Sequence, residues 1–257
     1  MFSGRAGAYD AHQCRLAPDT GHERVSKLQG SNTTKKVHAM IQKQILMEVG
    51  MSDGFDTARI LDRFGNKMEL HGFEPVPAMF EHTNKRFAEN PNVFVNPQAV
   101  DLVDGTANFN LSFNEPDARF TDGTGRKIHP YGCSSLFEFA DNIHDVWQGR
   151  PDFNVQERIE VETTRLDTYL DNIEFEEIAF IHVDAQGNDI NVLKSMGKYL
   201  KRVKTGVIEV AAKTQLYKGT NNTLANARQY LRGEGFYVTT SNPQGHEADV
   251  HFSRSPV

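Results

Sequence analysis

Cysteine is scarce in this chain: among 257 residues only Cys14 and Cys133 carry a thiol, and they lie far apart. Two such residues give no support to a disulfide framework or a four-ligand zinc site, and they fit a reducing, cytoplasmic setting. Long apolar runs are missing as well. The stretch 178–183, broken by His182, is typical, and it falls far short of the ~20 residues a membrane-spanning helix needs. Residues 1–30 lack the apolar core of a secretory signal, and their acidic side chains count against an organellar transit peptide. There is no excess of positive charge either, since 28 Lys and Arg face 34 Asp and Glu for a formal net charge of −6. Phosphate binding normally shows as a basic face, so this balance argues against nucleic acid as the main partner and for a small molecule.

What is present is a chain with 38% hydrophobic residues, enough for one sizeable α/β core. Residues 1–36 carry little periodic apolar pattern and read as a tail or lid, with the folded domain spanning 37–257. The run Ile45, Leu46, Met47, Val49 reads as a central strand buried on both faces. Gly50 and Gly54 then turn the chain into a helix with Phe55, Ala58, Leu61 and Phe64 on an apolar stripe. A second strand at 68–73 ends in Glu74, and a helix at 75–87 carries Met79, Phe80, Thr83 and Phe87. A short strand at 93–95 follows. Further strands at 178–183 and 206–210 flank a helix with Ile190, Leu193, Met196 and Leu200. Leu224, Ala227 and Leu231 mark a last helix, and 237–240 pairs with 248–252 around a turn at 242–245. This alternation predicts an α/β fold: a Rossmann-like three-layer α/β/α sandwich on a mostly parallel seven-stranded sheet with a C-terminal antiparallel strand. Residues 105–171, rich in Gly, Asp, Asn and Pro and with candidate strands at 107–111 and 159–163, interrupt it. They read as an acceptor-side insertion or as a purely structural one.

The chemistry-bearing residues fall at strand ends, where open α/β sheets bind ligands. Glu48, Gly50, Ser52, Asp53 and Gly54 close the first strand, and glycines there let a ligand approach the backbone beside a helix N-terminus. The turn has too few glycines and one carboxylate too many for a pyrophosphate, but it tolerates a zwitterionic amino acid. Glu74 falls about 20 residues beyond Gly54, where a carboxylate can accept both ribose hydroxyls; the plainer role is to cap the following helix. Asp184 and Glu209 end two later strands and suit proton removal from an acceptor, against plainer roles as a helix cap and a structural ion pair. His71 and His182 lie inside strands and read as packed, and the remaining histidines lack ligand spacing, so no metal is expected. Cys133 has no neighbouring histidine pattern and reads as an ordinary buried thiol.

Several blocks taken in order resemble the FkbM-type methyltransferases, a branch of the class I S-adenosylmethionine-dependent enzymes. They are Glu48-Val49-Gly50 with Gly54, Phe73-Glu74-Pro75, the stretch 96–105, Ser134-Ser135-Leu136, Arg165-Leu166-Asp167, the run 181–189 before Val192-Leu193, and Ile208-Glu209. The resemblance implies S-adenosyl-L-methionine as cofactor, with Glu48, Gly50, Ser52 and Gly54 along its methionine part, Glu74 at the ribose, and Ala99 to Asp101 at the adenine. It also implies methyl transfer to a small hydroxylated acceptor such as a sugar, glycan or secondary metabolite, and no catalytic metal. Two departures stand out. The family commonly has Asp at Glu48, and commonly Glu where Gln186 and Asp189 stand, so a non-catalytic cofactor-binding homologue is one alternative. An NAD-dependent oxidoreductase is another, disfavoured by the missing third glycine. The sequence is compatible with a homodimer and decides neither oligomeric state nor O- against N-methylation.

Overall fold

A computed structural model describes residues 43–256 apart from 116, 122–124 and 126. The tail or lid reading of 1–36, with Cys14, lies outside the described residues. In chain order the elements are β1 Gln44–Val49, α1 Phe55–Phe64, β2 Glu69–Phe73, α2 Pro77–Arg86, β3 Val93–Asn96, β4 Ala99–Val100 and β5 Gly105–Leu111. Then come β6 Asp117–Thr121, β7 Lys127–Ile128, α3 Ile143–Val146, β8 Glu157–Thr164, α4 Leu166–Leu170, β9 Glu177–Val183 and α5 Asp189–Ser195. A 3-10 turn at Gly197–Arg202, β10 Val203–Ala211, α6 Leu224–Gly233, β11 Tyr237–Thr240 and β12 Glu247–Ser253 complete the chain.

The main sheet runs β11-β12-β10-β9-β1-β2-β3. Neighbours from β10 to β3 are parallel, while β12 runs antiparallel to both β10 and β11. This is the Rossmann-like, seven-stranded architecture the alternation predicts. β1 is central because its side chains are apolar on both faces: Ile45, Met47 and Val49 enter one core with Leu193, Ala227 and Leu231, and Leu46 enters another with Ile60 and Leu61. Strand order reverses between β1 and β9, and the carboxyl ends of strands beside such a reversal open a crevice. No helix among the described residues is long and apolar enough to cross a membrane.

Some local expectations change. The stripe through Phe55, Ala58, Leu61 and Phe64 does not form: α1 buries Thr57, Ile60 and Leu61, and Phe55 is 58% exposed. Three-residue steps drift against a 3.6-residue turn, so the first and last members end up about 180° apart. The helix expected through Leu200 ends at Ser195 and continues as the 3-10 turn. Within 105–171, β5 and β8 pair antiparallel and β4 joins β8 to make a second sheet. The last part of that stretch belongs to the main core, where Leu166 and Leu170 of α4 are fully buried.

Candidate functional site

The turn after β1 is shaped by its contacts with two neighbouring strands. Gly50 and Met51 both donate to Phe73 O at the end of β2, at 3.0 and 3.2 Å, and Asp184 N donates to Val49 O at 2.9 Å. Gly50 has φ +85°, and a Cβ there would stand 2.0 Å from the Asp184 carbonyl oxygen. Glycine is therefore required by the close approach of the turn to β9. The Gly54 position is similarly filled, by the Phe87 ring 2.6 Å from a virtual Cβ.

A cavity of about 690 Å³ opens above this turn. Of the residues singled out in the sequence, Gly50, Ser52, Glu74, Ala99 and Asp184 line it. Glu48, Gly54, Asp101 and Glu209 do not. Glu48 is fully buried; its Oε2 accepts from Thr57 Oγ1 at 2.6 Å and its Oε1 lies 3.6 Å from His182 Nδ1. Burial alone would lower the His182 pKa, but Glu48 outweighs it and holds the ring at about 9, while burial pushes the Glu48 carboxyl up. Asp101 accepts from Asn188 Nδ2 at 3.2 Å, and the same amide donates to Val100 O at 3.0 Å, which ties the strip after β4 to the start of α5.

Glu74 is 5% exposed. Its Oε2 accepts from Ser52 N at 2.8 Å and its Oε1 from Val76 N at 2.9 Å, just before α2. The second bond closes a local turn onto the residue before α2, and the first ties the turn to β2. Burial pushes this carboxyl up to about 7 against the opposing pull of the two amides.

Asp184 stands at the carboxyl end of β9. Its Oδ1 accepts from Gln186 Nε2 at 2.5 Å, and the same nitrogen approaches Glu209 Oε2 at 3.5 Å. Tyr217 OH donates to Gln186 Oε1 at 2.6 Å, and Ser135 Oγ donates to Gln186 O, also at 2.6 Å. Asp184 accepts no backbone N–H of α5, where Asn222 Oδ1 takes Ile190 N at 3.2 Å instead, and Glu209 forms no ion pair among the described residues, so neither plainer role is realised. Burial raises the Asp184 pKa, while His182 and Gln186 oppose it; the charge of Asp184 in turn pushes Glu209 well up. Asp189 accepts from Ala185 N at 3.2 Å and Asn222 Nδ2 at 2.8 Å, with burial raising it to about 8.

His71 is packed: its Nδ1 meets Tyr169 OH at 2.9 Å and its ring stacks on Phe94. Cys133 sits between Arg150 and Asp152, and burial raises its pKa. Among the described residues no cluster of His, Cys, Asp and Glu could hold a metal ion. Sequence reasoning missed Gln98, Asn188, Tyr131 and Phe109 on the cavity wall, and Tyr217 and Glu247 beyond Gln186. Asn188 lies in the run quoted at 181–189, so position carried a signal there; Tyr217 and Glu247 lie in segments with no periodic cue.

The chemistry of the wall suits an adenosine bearing an amino-acid chain. A carboxylate ends β2, backbone follows the β1 turn, and Val76, Met79 and Phe109 supply an apolar slot beside Gln98 and Asn188. Crevice and strand order together define a class I methyltransferase architecture. The sequence profile described as the methyltransferase FkbM domain matches residues 48–238, and the chain belongs to that family, whose cofactor is S-adenosylmethionine. No curated protein matches the chain.

Solved structures similar to it include three methyltransferase-fold proteins. Aeropyrum pernix fibrillarin with natively bound S-adenosyl-L-methionine has 8% identity and TM-score 0.44, over 82% of this chain and 66% of that one. M. capricolum TrmK with S-adenosyl-homocysteine has 7% identity and TM-score 0.41, over 82% and 62%. Precorrin-6y C5,15-methyltransferase from Geobacter metallireducens GS-15 has 10% identity and TM-score 0.40, over 83% and 81%.

Proposed function

We propose that this protein transfers a methyl group from S-adenosylmethionine to a hydroxyl of a small acceptor, a sugar, glycan terminus or secondary metabolite, in the cytoplasm. The catalytic domain is 37–257, with 105–171 covering the acceptor side. The observation that carries the reading is the place of Asp184: it ends β9 at the strand-order reversal and lines the cavity that Glu74 and the β1 turn also line. In this reading Gly50 and Ser52 follow the methionine part, Glu74 takes the ribose hydroxyls, and Ala99 lies along the adenine. Glu48, Gly54 and Asp101 act from behind the wall: Glu48 through Thr57, Gly54 by admitting Phe87, and Asp101 through Asn188.

When bound, the cofactor supplies an electrophilic methyl on a sulfonium centre. The chain supplies orientation and a proton acceptor. Asp184 is the base for the acceptor hydroxyl, since its Oδ2 has no donor among the described residues. Glu209 stands behind it and shares the Gln186 amide. Calorimetric titration with S-adenosylmethionine, S-adenosylhomocysteine and NADH tests the cofactor assignment. Saturable binding of the first two alone is expected, and binding of NADH alone would overturn it.

A further inference from the structure

Charge in the wall of the cofactor cavity has one sign. Among the described residues that line it, only Glu74 and Asp184 bear a carboxyl, and none is a lysine, arginine or histidine. The amides at the turn into α1, which would otherwise supply positive potential, are already taken. Gly50 N and Met51 N donate to Phe73 O, Gly54 N to Met51 O, Ser52 N to Glu74 Oε2 and Phe55 N to Asp53 Oδ1. Behind the wall, His182 stands 3.6 Å from Glu48 Oε1, which meets its charge there. The Arg86 guanidinium donates to Asp53 O in an exposed contact.

Of the two carboxyls, Glu74 is the more enclosed. Both its oxygens are held by backbone amides, whereas Asp184 is half-buried and shares its charge with the Gln186 amide. A charge shielded from water acts more strongly on its neighbours. Burial is the main cost of ionising Glu74; the two amides oppose it, and the charges of Asp184 and Glu48 add to it. A cation in the cavity offsets that cost, and a neutral ligand leaves it standing.

Methyl transfer changes the ligand in this respect and in little else. The acceptor oxygen forms the new bond to carbon and its proton passes to Asp184. The C–S bond breaks with its electron pair left on sulfur, so the sulfonium becomes a neutral thioether. Adenine, ribose and the amino-acid chain are common to cofactor and product, and they cancel when the two affinities are compared. Resting on the methyltransferase reading, we infer that Glu74 makes this cavity select by charge, holding the sulfonium cofactor and letting the thioether product go. Glu74 is then a specificity-determining residue for substrate over product, in addition to its place at the ribose.

The full-length protein is titrated calorimetrically at about pH 8, where a carboxyl lifted to about 7 is ionised. The ligands are S-adenosylmethionine, S-adenosylhomocysteine and sinefungin, in which a carbon bearing an ammonium replaces the methylsulfonium. The two charged ligands are each expected to bind at least about tenfold more tightly than S-adenosylhomocysteine, a ratio well within the attraction of opposite charges in a partly desolvated site. Glu74→Gln keeps an oxygen for the ribose hydroxyls and loses the charge. It is expected to bring the three affinities within about threefold of one another, by weakening the charged ligands far more than S-adenosylhomocysteine. Equal or tighter binding of S-adenosylhomocysteine to the wild type, or sinefungin binding no more tightly than S-adenosylhomocysteine, would overturn the inference, and neither result needs the variant to fold. An undiminished preference for the charged ligands in a variant that still binds would overturn it as well. Failure of S-adenosylmethionine and S-adenosylhomocysteine alike to bind would instead strike the methyltransferase reading on which the inference rests.

Discussion

The side-chain amide of Gln186 donates to Asp184 Oδ1 at 2.5 Å. Its direction is set by the carboxylates, which accept and so require the amide nitrogen on their side, while Tyr217 OH donates to Gln186 Oε1 at the other end. An amide here allows two carboxyls, Asp184 and Glu209, to share one donor. Gln186→Glu removes that donor and sets a like charge in its place. The protonation of Asp184 and Glu209 is then expected to move to higher pH, and the acid limb of the pH–rate profile with it. An unmoved acid limb in the variant would mean that Gln186 does not govern the ionisation of the pair.

Asp184→Asn preserves shape and removes the base. Turnover is expected to fall on the order of a hundredfold, with S-adenosylmethionine affinity nearly intact. Single-turnover methyl transfer from labelled cofactor, paired with calorimetry, separates the two quantities. Full activity would return Asp184 to a structural role.

Glu74 makes two predictions. Glu74→Ala should weaken S-adenosylmethionine binding by about 1.5–3 kcal/mol, the range for hydrogen bonds to a charged group; unchanged affinity would remove the ribose assignment.

The second concerns pH. Burial raises the Glu74 pKa from 4.5 to about 7, so the ligand-free folded protein holds this proton more tightly than the unfolded chain. Its contribution to stability is present in full below pH 4.5 and is lost as pH rises through about 7. Ribose hydroxyls and a sulfonium charge both favour the ionised carboxylate. Affinity for S-adenosylmethionine is therefore expected to rise between about pH 6 and 8 with release of a proton. Calorimetry in two buffers of different ionisation enthalpy measures that proton, and identical heats in both would contradict the assignment.

Gly50→Ala should destabilise the fold by roughly 2–4 kcal/mol, combining left-handed backbone strain with overpacking. The added methyl meets the Asp184 carbonyl at 2.0 Å with φ at +85°. Thermal unfolding monitored by circular dichroism checks this, and a melting temperature equal to wild type would show that the turn can lift away from β9.

Much of the site was legible because sheet periodicity places it. Once β1 and β2 are read from their apolar runs, Gly50 and Glu74 must sit at adjacent strand ends, and both line the cavity. Side-chain direction was less legible. Glu48 is next to Val49, yet alternate residues of a strand face opposite ways; Val49 lines the cavity while Glu48 turns to Thr57 and His182. Gly54 belongs to the same turn but faces Phe87, a contact that depends on how α2 ends.

The amino-acid sequence by itself determined the order of the seven main-sheet strands and of α1, α2, α5 and α6, the absence of a membrane-spanning helix among the described residues, and membership of the FkbM methyltransferase family. These follow from local pattern: apolar periodicity, turn residues and short motifs whose members are close along the chain. Only the tertiary structure decided that Glu209, Tyr217 and Glu247 meet Asp184 and Gln186 around one small cleft. Those residues come from β10, the loop after it and the antiparallel strand β12. Their convergence depends on β12 inserting between β10 and β11, a long-range pairing whose effect on charge and burial has no counterpart in any local stretch of sequence.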